Sequence, residues 1–98
     1  MFRHCVMFKW KPETTDEART VLFEKLDGLA ALPFVKAFAH GPDAGLREGN
    51  WDHVVVADFE SQDDYLTYAS YPMHLDLIQG HLLPAISARA AVQYAFQP

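Results

Sequence analysis

The chain has 98 residues, half of them apolar, and a formal net charge of −5. That length supports one compact core and not two. The acidic balance, with no Lys/Arg run, argues against nucleic acid and anionic membrane surfaces as partners, because both are held by clustered cations.

Residues 2–10, Phe-Arg-His-Cys-Val-Met-Phe-Lys-Trp, are mostly bulky and apolar and stop at Lys11-Pro12. They read as a strand with His4, Val6, Phe8 and Trp10 on one face. Thr14 followed by Glu17 is a capping-box signature, and Ala18, Val21, Leu22, Leu26 and Leu29 then recur at helical spacing as far as Pro33. Residues 34–40 form a shorter strand candidate. The glycines and proline of residues 41–50 mark a surface loop. Residues 51–59, with the β-branched run Val54-Val55-Val56, give the clearest strand, on which His53, Val55, Ala57 and Phe59 share a face.

Ser61 with Asp64 opens a short helix that Tyr71-Pro72 interrupts, since a residue before proline is pushed out of helical dihedrals. A second helical segment over residues 72–86 carries His74, Leu77, Ile78, His81, Leu82 and Ala85 on one side. Residues 89–96 close the chain as a strand. The resulting order, β-α-β-β-α-β, predicts an α+β fold of ferredoxin-like type, an antiparallel four-stranded sheet with a broken second helix, in a single domain over residues 1–98. No apolar stretch approaches the roughly 20 residues that span a bilayer, and the N-terminus lacks the pattern of a secretory leader. The single Cys5 can form neither an internal disulfide nor a thiolate cluster, so a cytoplasmic protein is expected.

Helices cover one side of such a sheet only. Cys5, Met7, Val54 and Val56 make the other side apolar as well, so a second sheet is expected to cover it, most simply in a two-fold homodimer closed into a barrel. The central strands carry His4 and His53 on one face beside Val55, neighbours if the register aligns them, and if that face is the helix-covered one it becomes one wall of a pocket. The start of the last helical segment would bring His74, with Tyr68 and Tyr71 at the helix break. An apolar pocket with a few convergent polar groups is how small-molecule sites are built. Within one, an imidazole can act as base and a phenol can orient it or donate to a developing oxyanion. His40 and His81 read as solvated or edge groups and Tyr65 as packing. No His-x-x-x-His pair or phosphate loop is present, so neither a metal nor a cofactor is expected.

The segments Arg3-His4-Cys5-Val6-Met7-Phe8-Lys9-Trp10-Lys11, Asp52-His53-Val54-Val55-Val56 and Tyr71-Pro72-Met73-His74, followed by Leu82-Leu83-Pro84, together resemble the stress-responsive A/B barrel (Dabb) family. The resemblance covers essentially the whole chain and implies dimeric α+β barrels. By similarity to a plant polyketide cyclase of that family, His74 would be the general base and Tyr68 its tyrosine. His4 and His53 would line the cavity, and Phe23 and Val55 would supply apolar wall. Two departures stand out: Tyr71 occupies the place of a first histidine in a His-Pro-x-His pattern, and Leu26 that of a pocket tyrosine. The resemblance implies a homodimeric small-molecule protein that binds or cyclises a keto-rich or aromatic compound. A non-catalytic stress-responsive binding or structural protein, and a cofactor-free oxygenase, are the other readings.

Overall fold

In the computed structural model, which describes residues 1–98, the strands are β1 (Phe2–Trp10), β2 (Ala37–Pro42), β3 (His53–Phe59) and β4 (Ile86–Ala95). They form one antiparallel sheet of order β2-β3-β1-β4. The helices are α1 (Asp16–Ala30), α2 (Gln62–Ala69) and α3 (Pro72–Leu77). The expected ferredoxin-like order and the central β1/β3 pair are present.

The core lies between sheet and helices. Phe8, Val55, Ala57 and Phe59 from the sheet meet Leu22, Leu26 and Leu29 from α1, Tyr68 from α2 and Leu77 from α3, all nearly inaccessible to solvent. Directly opposite residues in an antiparallel ladder point to the same side. The helix-facing rungs are therefore His4–Ala57–Gln93, Val6–Val55–Ala91 and Phe8–His53–Arg89. The outward rungs carry Cys5, Met7, Val54, Val56, Val92 and Tyr94.

Several boundaries differ from those expected. The cap of α1 is Thr15, whose side chain accepts from Ala18 N, while the Thr14 hydroxyl donates to the Ala85 carbonyl at 2.7 Å and fastens the helix start to the end of the last helical segment. β2 begins three residues later than residue 34, because Leu32 and Val35 are buried in a turn closed by Val35 N donating to Leu32 O. It ends at Pro42, which is tolerated on an edge strand. Ser61 caps α2 by accepting from Asp64 N, as the spacing predicts.

The segment over 72–86 is not one α-helix. After α3 the chain widens into a π-helical turn, Ile78–Leu82, then tightens into a 3₁₀ turn, Leu83–Ala85, and β4 starts at Ile86. Pro84 has no N–H to offer the carbonyl four residues back, at Gly80, so regular α winding cannot continue through this point.

Candidate functional site: an apolar cavity with two differently tuned histidines

A cavity of about 380 Å³ opens between the helix side of the sheet and the helices. Its walls are mostly apolar, with Val6, Phe8 and Val55 from the sheet, Leu26 and Leu29 from α1, and Leu77, Ile78 and Leu82 from the last helical segment. Its polar groups are His4, Tyr65, Tyr68, His74, Arg89 and Gln93.

The helix break positions His74. Tyr71 is extended, with ψ of 133°, and Pro72 starts α3 without an N–H, so α2 ends with open carbonyls. The Nδ1–H of His74 donates to one of them, Ala69 O, at 3.1 Å. In the neutral ring this fixes the proton on Nδ1 and leaves the Nε2 lone pair as the basic atom. The Tyr68 ring packs 4.4 Å from the His74 ring, centroid to centroid. Burial lowers the pKa of His74, the Ala69 carbonyl works against that, and the charge of Arg89 lowers it further, so the ring is a neutral base at neutral pH.

His4 has the opposite tautomer. Gln93 stands directly across from it on β4, and the Gln93 Nε2 amide donates to His4 Nδ1 at 2.8 Å. An amide nitrogen only donates, so Nδ1 is the acceptor and the proton of the neutral ring lies on Nε2. Burial, reinforced by His74, lowers the His4 pKa to about 4. The site thus joins a histidine with a free lone pair to one with a free N–H. Tyr68 is held well above its ordinary pKa by burial, then by Tyr65, and burial also raises Tyr65, so both phenols keep their protons. The Tyr65 ring lies 5.1 Å from that of His4.

Of the residues singled out in the sequence, His4, Val55, Tyr68 and His74 converge here. His53, Phe23 and Tyr71 do not. β1 and β3 pair so that His4 faces Ala57 and His53 faces Phe8, which puts the two histidines four residues apart along the sheet, about 13 Å at strand rise. His53 belongs instead to an aromatic cluster at the far end, stacked on Phe23 at 4.8 Å and Phe8 at 5.3 Å. Tyr71 caps α3 and packs edge-on against Phe34 at 5.4 Å, outside the cavity. Tyr65, Arg89 and Gln93 are the lining groups the sequence reading passed over.

His40, read as solvated, is also placed differently: its side chain is only 16% exposed. His40 Nε2 donates to Asp27 Oδ1 at 3.0 Å, and His40 Nδ1 accepts from His53 Nε2 at 3.1 Å. The carboxylate can only accept, so it sets the tautomers of the two rings when both are unprotonated. Burial, then the neighbouring His40, lowers the pKa of His53 to about 4.

A pH dependence of stability follows from His4 and His53. An unfolded chain takes up protons on both rings as pH falls through about 6.5, while the folded protein resists until about 4. Stability is therefore full above pH 6.5 and declines between 6.5 and 4. Allowing for solvent access to the rings, the expected loss by pH 5 is about 1–2 kcal/mol per histidine. Urea unfolding at pH 7 and pH 5 measures it; equal midpoints would show that the rings are not held neutral.

The family model for the stress responsive A/B barrel domain matches residues 2–96. A stress-response A/B barrel domain-containing protein of Arabidopsis thaliana is 26% identical over 95 residues, which are 96% of this chain and 36% of that protein. The chain thus spans about a third of that curated relative's length. Among solved structures, a dimeric ferredoxin-like protein of unknown function from Thermobifida fusca is 34% identical, with a TM-score of 0.87 over 97% of this chain and 90% of that one. A hydroxynitrile lyase from Passiflora edulis has the same fold, with a TM-score of 0.87 at 21% identity over 98% of this chain and 93% of the other. With a family match over nearly its whole length and the ferredoxin-like sheet that its neighbours share, the chain belongs to the stress-responsive A/B barrel domain family.

Proposed function

We propose that the protein is a homodimeric small-molecule protein whose cavity performs cofactor-independent acid–base chemistry on a keto-rich or aromatic compound, in the manner of a polyketide cyclase. The observation that carries this reading is the opposed pair of tautomers facing one mostly apolar cavity: His74 with Nε2 free to accept a proton, His4 with Nε2–H free to donate. His74 removes a proton from a carbon flanked by carbonyls. The carbanion then attacks a carbonyl of the same molecule, and the resulting oxyanion accepts from His4 Nε2–H or the Tyr68 hydroxyl. Apolar walls hold the two reacting carbons together, where most of the advantage of an enclosed site lies. That a neighbour in fold is a hydroxynitrile lyase supports catalysis on this scaffold; the assignment to this chain rests on its own side chains.

Homodimerisation is supported by the outward face of the sheet. Met7 and Val54 are more than a third exposed, Val92 is 58% exposed and Tyr94 42%. These positions form one apolar surface of the kind that a second sheet covers. The dimeric state of the Thermobifida relative points the same way.

A thermal-shift screen of aromatic acids, phenols and β-keto thioesters against wild type and His74→Gln tests the function. At least one class should raise the wild-type melting temperature by several degrees, as expected for about 1 kcal/mol of ligand stabilisation in a domain of this size, and should lose that effect in the variant. A panel that shifts neither protein would favour a purely structural role for the histidines.

A further inference from the structure

The cavity holds one formal charge, and that charge has no partner. Its lining includes no Asp or Glu. Burial lowers the pKa of His4 and His74, so both are neutral at neutral pH, and it raises that of Tyr65 and Tyr68, so both stay protonated. Arg89 alone is charged. It sits on β4 directly across from Phe8, whose side chain is in the core, so the arginine emerges on the same, helix-facing side. The ion pairs Arg3–Asp58 and Lys36–Glu60 and the Asp27–His40 hydrogen bond all leave Arg89 unengaged. Its guanidinium is close enough to His74 for its charge to oppose protonation of that ring.

Arg89 is solvent-exposed on the edge strand β4, so its guanidinium stands at the mouth of the apolar cavity, where it can pair with an anionic group of a ligand whose remainder enters. Its planar fork matches the two oxygens of a carboxylate, and one positive charge matches one negative charge. The free space, about 380 Å³, equals the liquid volume of roughly a dozen waters, enough for one ring or a short chain beyond the acid group.

Building on the proposed ligand site, we infer that its substrate is a carboxylic acid: the carboxylate pairs with Arg89, and the carbon skeleton lies among Leu26, Leu29, Leu77 and Ile78. The reactive carbon or hydroxyl then reaches His74 Nε2. Pairing Arg89 also removes the charge that opposes protonation of His74, so binding the acid makes the base stronger.

Matched neutral and charged probes test this. Calorimetric titration at pH 7 and low salt would compare 4-hydroxybenzoate with 4-hydroxybenzamide, and 2-naphthoate with 2-naphthamide, on wild type and Arg89→Gln. Ring resonances of Tyr68 and His74 would report whether binding occurs in the cavity. The expected result is at least a tenfold preference of the wild type for each acid over its amide. In Arg89→Gln the acids should fall to the level of the amides, and unchanged amide affinity would show the cavity intact. Equal binding of acid and amide by wild type, or an acid preference that survives in Arg89→Gln, would overturn the carboxylate inference and leave the ligand site standing. No perturbation of Tyr68 or His74 by any of the four compounds would overturn both.

Discussion

Replacing His74 with glutamine is expected to slow proton abstraction from an activated carbon by about 10²–10⁴-fold. Glutamine has no basic atom in place of Nε2, and His74→Asn, whose amide nitrogen takes the place of Nδ1 and keeps the donor to the Ala69 carbonyl, is the companion variant and should be slowed equally. The effect thus isolates the base from the fold. A suitable reporter is 5-nitrobenzisoxazole: loss of its C3 proton to a base opens the N–O bond, giving a nitrile and a coloured phenolate with no other reactant. The wild type should exceed both the variant and free imidazole at equal concentration and pH. Equal rates for wild type and His74→Gln would mean that Nε2 does not meet ligands in the cavity.

Phe59→Ala should have the largest effect on stability, a loss of about 3–5 kcal/mol. Phe59 is fully buried at the end of β3, with Tyr65 and Tyr68 at ring distances of 5.8 and 5.0 Å. Its removal leaves a hole behind the two phenols that line the cavity, so ligand affinity should fall together with stability. The loss is a large fraction of the 5–15 kcal/mol typical of a folded domain. The midpoint of urea unfolding measures it, and a change under 1 kcal/mol would show that neighbouring side chains close over the gap.

Which strand residues share a face was legible in the sequence because alternation fixes it: His4, Val6 and Phe8 lie on one side and Met7 and Val54 on the other, and the structure puts the helices over the first. Position along the strand was not. A period of two is unchanged by sliding a strand by two or four residues, so His4 and His53 could be assigned to one side but not to one rung. The β1–β3 ladder separates them. The same ambiguity concealed Arg89 and Gln93, whose alternation with small residues marks a face without saying that they stand opposite Phe8 and His4.

Tyr65 did carry a signal, since it lies three residues before Tyr68 on α2 and so on the same side of that helix. His74 was legible for a different reason. The Tyr71-Pro72 break is local chemistry, and it frees the Ala69 carbonyl that orients the ring. The link between Asp27, His40 and His53 joins α1, β2 and β3, and nothing in the local pattern of those segments announces it.

The proposed acid–base chemistry depends most directly on the protonation pattern of two rings. Long-range proton–nitrogen correlation spectra of the uniformly ¹⁵N-labelled protein at pH 7 would read the state of each imidazole nitrogen in His4 and His74. The prediction is two neutral rings of opposite tautomer, His74 protonated at Nδ1 and His4 at Nε2. Finding His74 protonated at Nε2, or either ring as imidazolium at that pH, would contradict the assignment of base and donor on which the proposed chemistry depends.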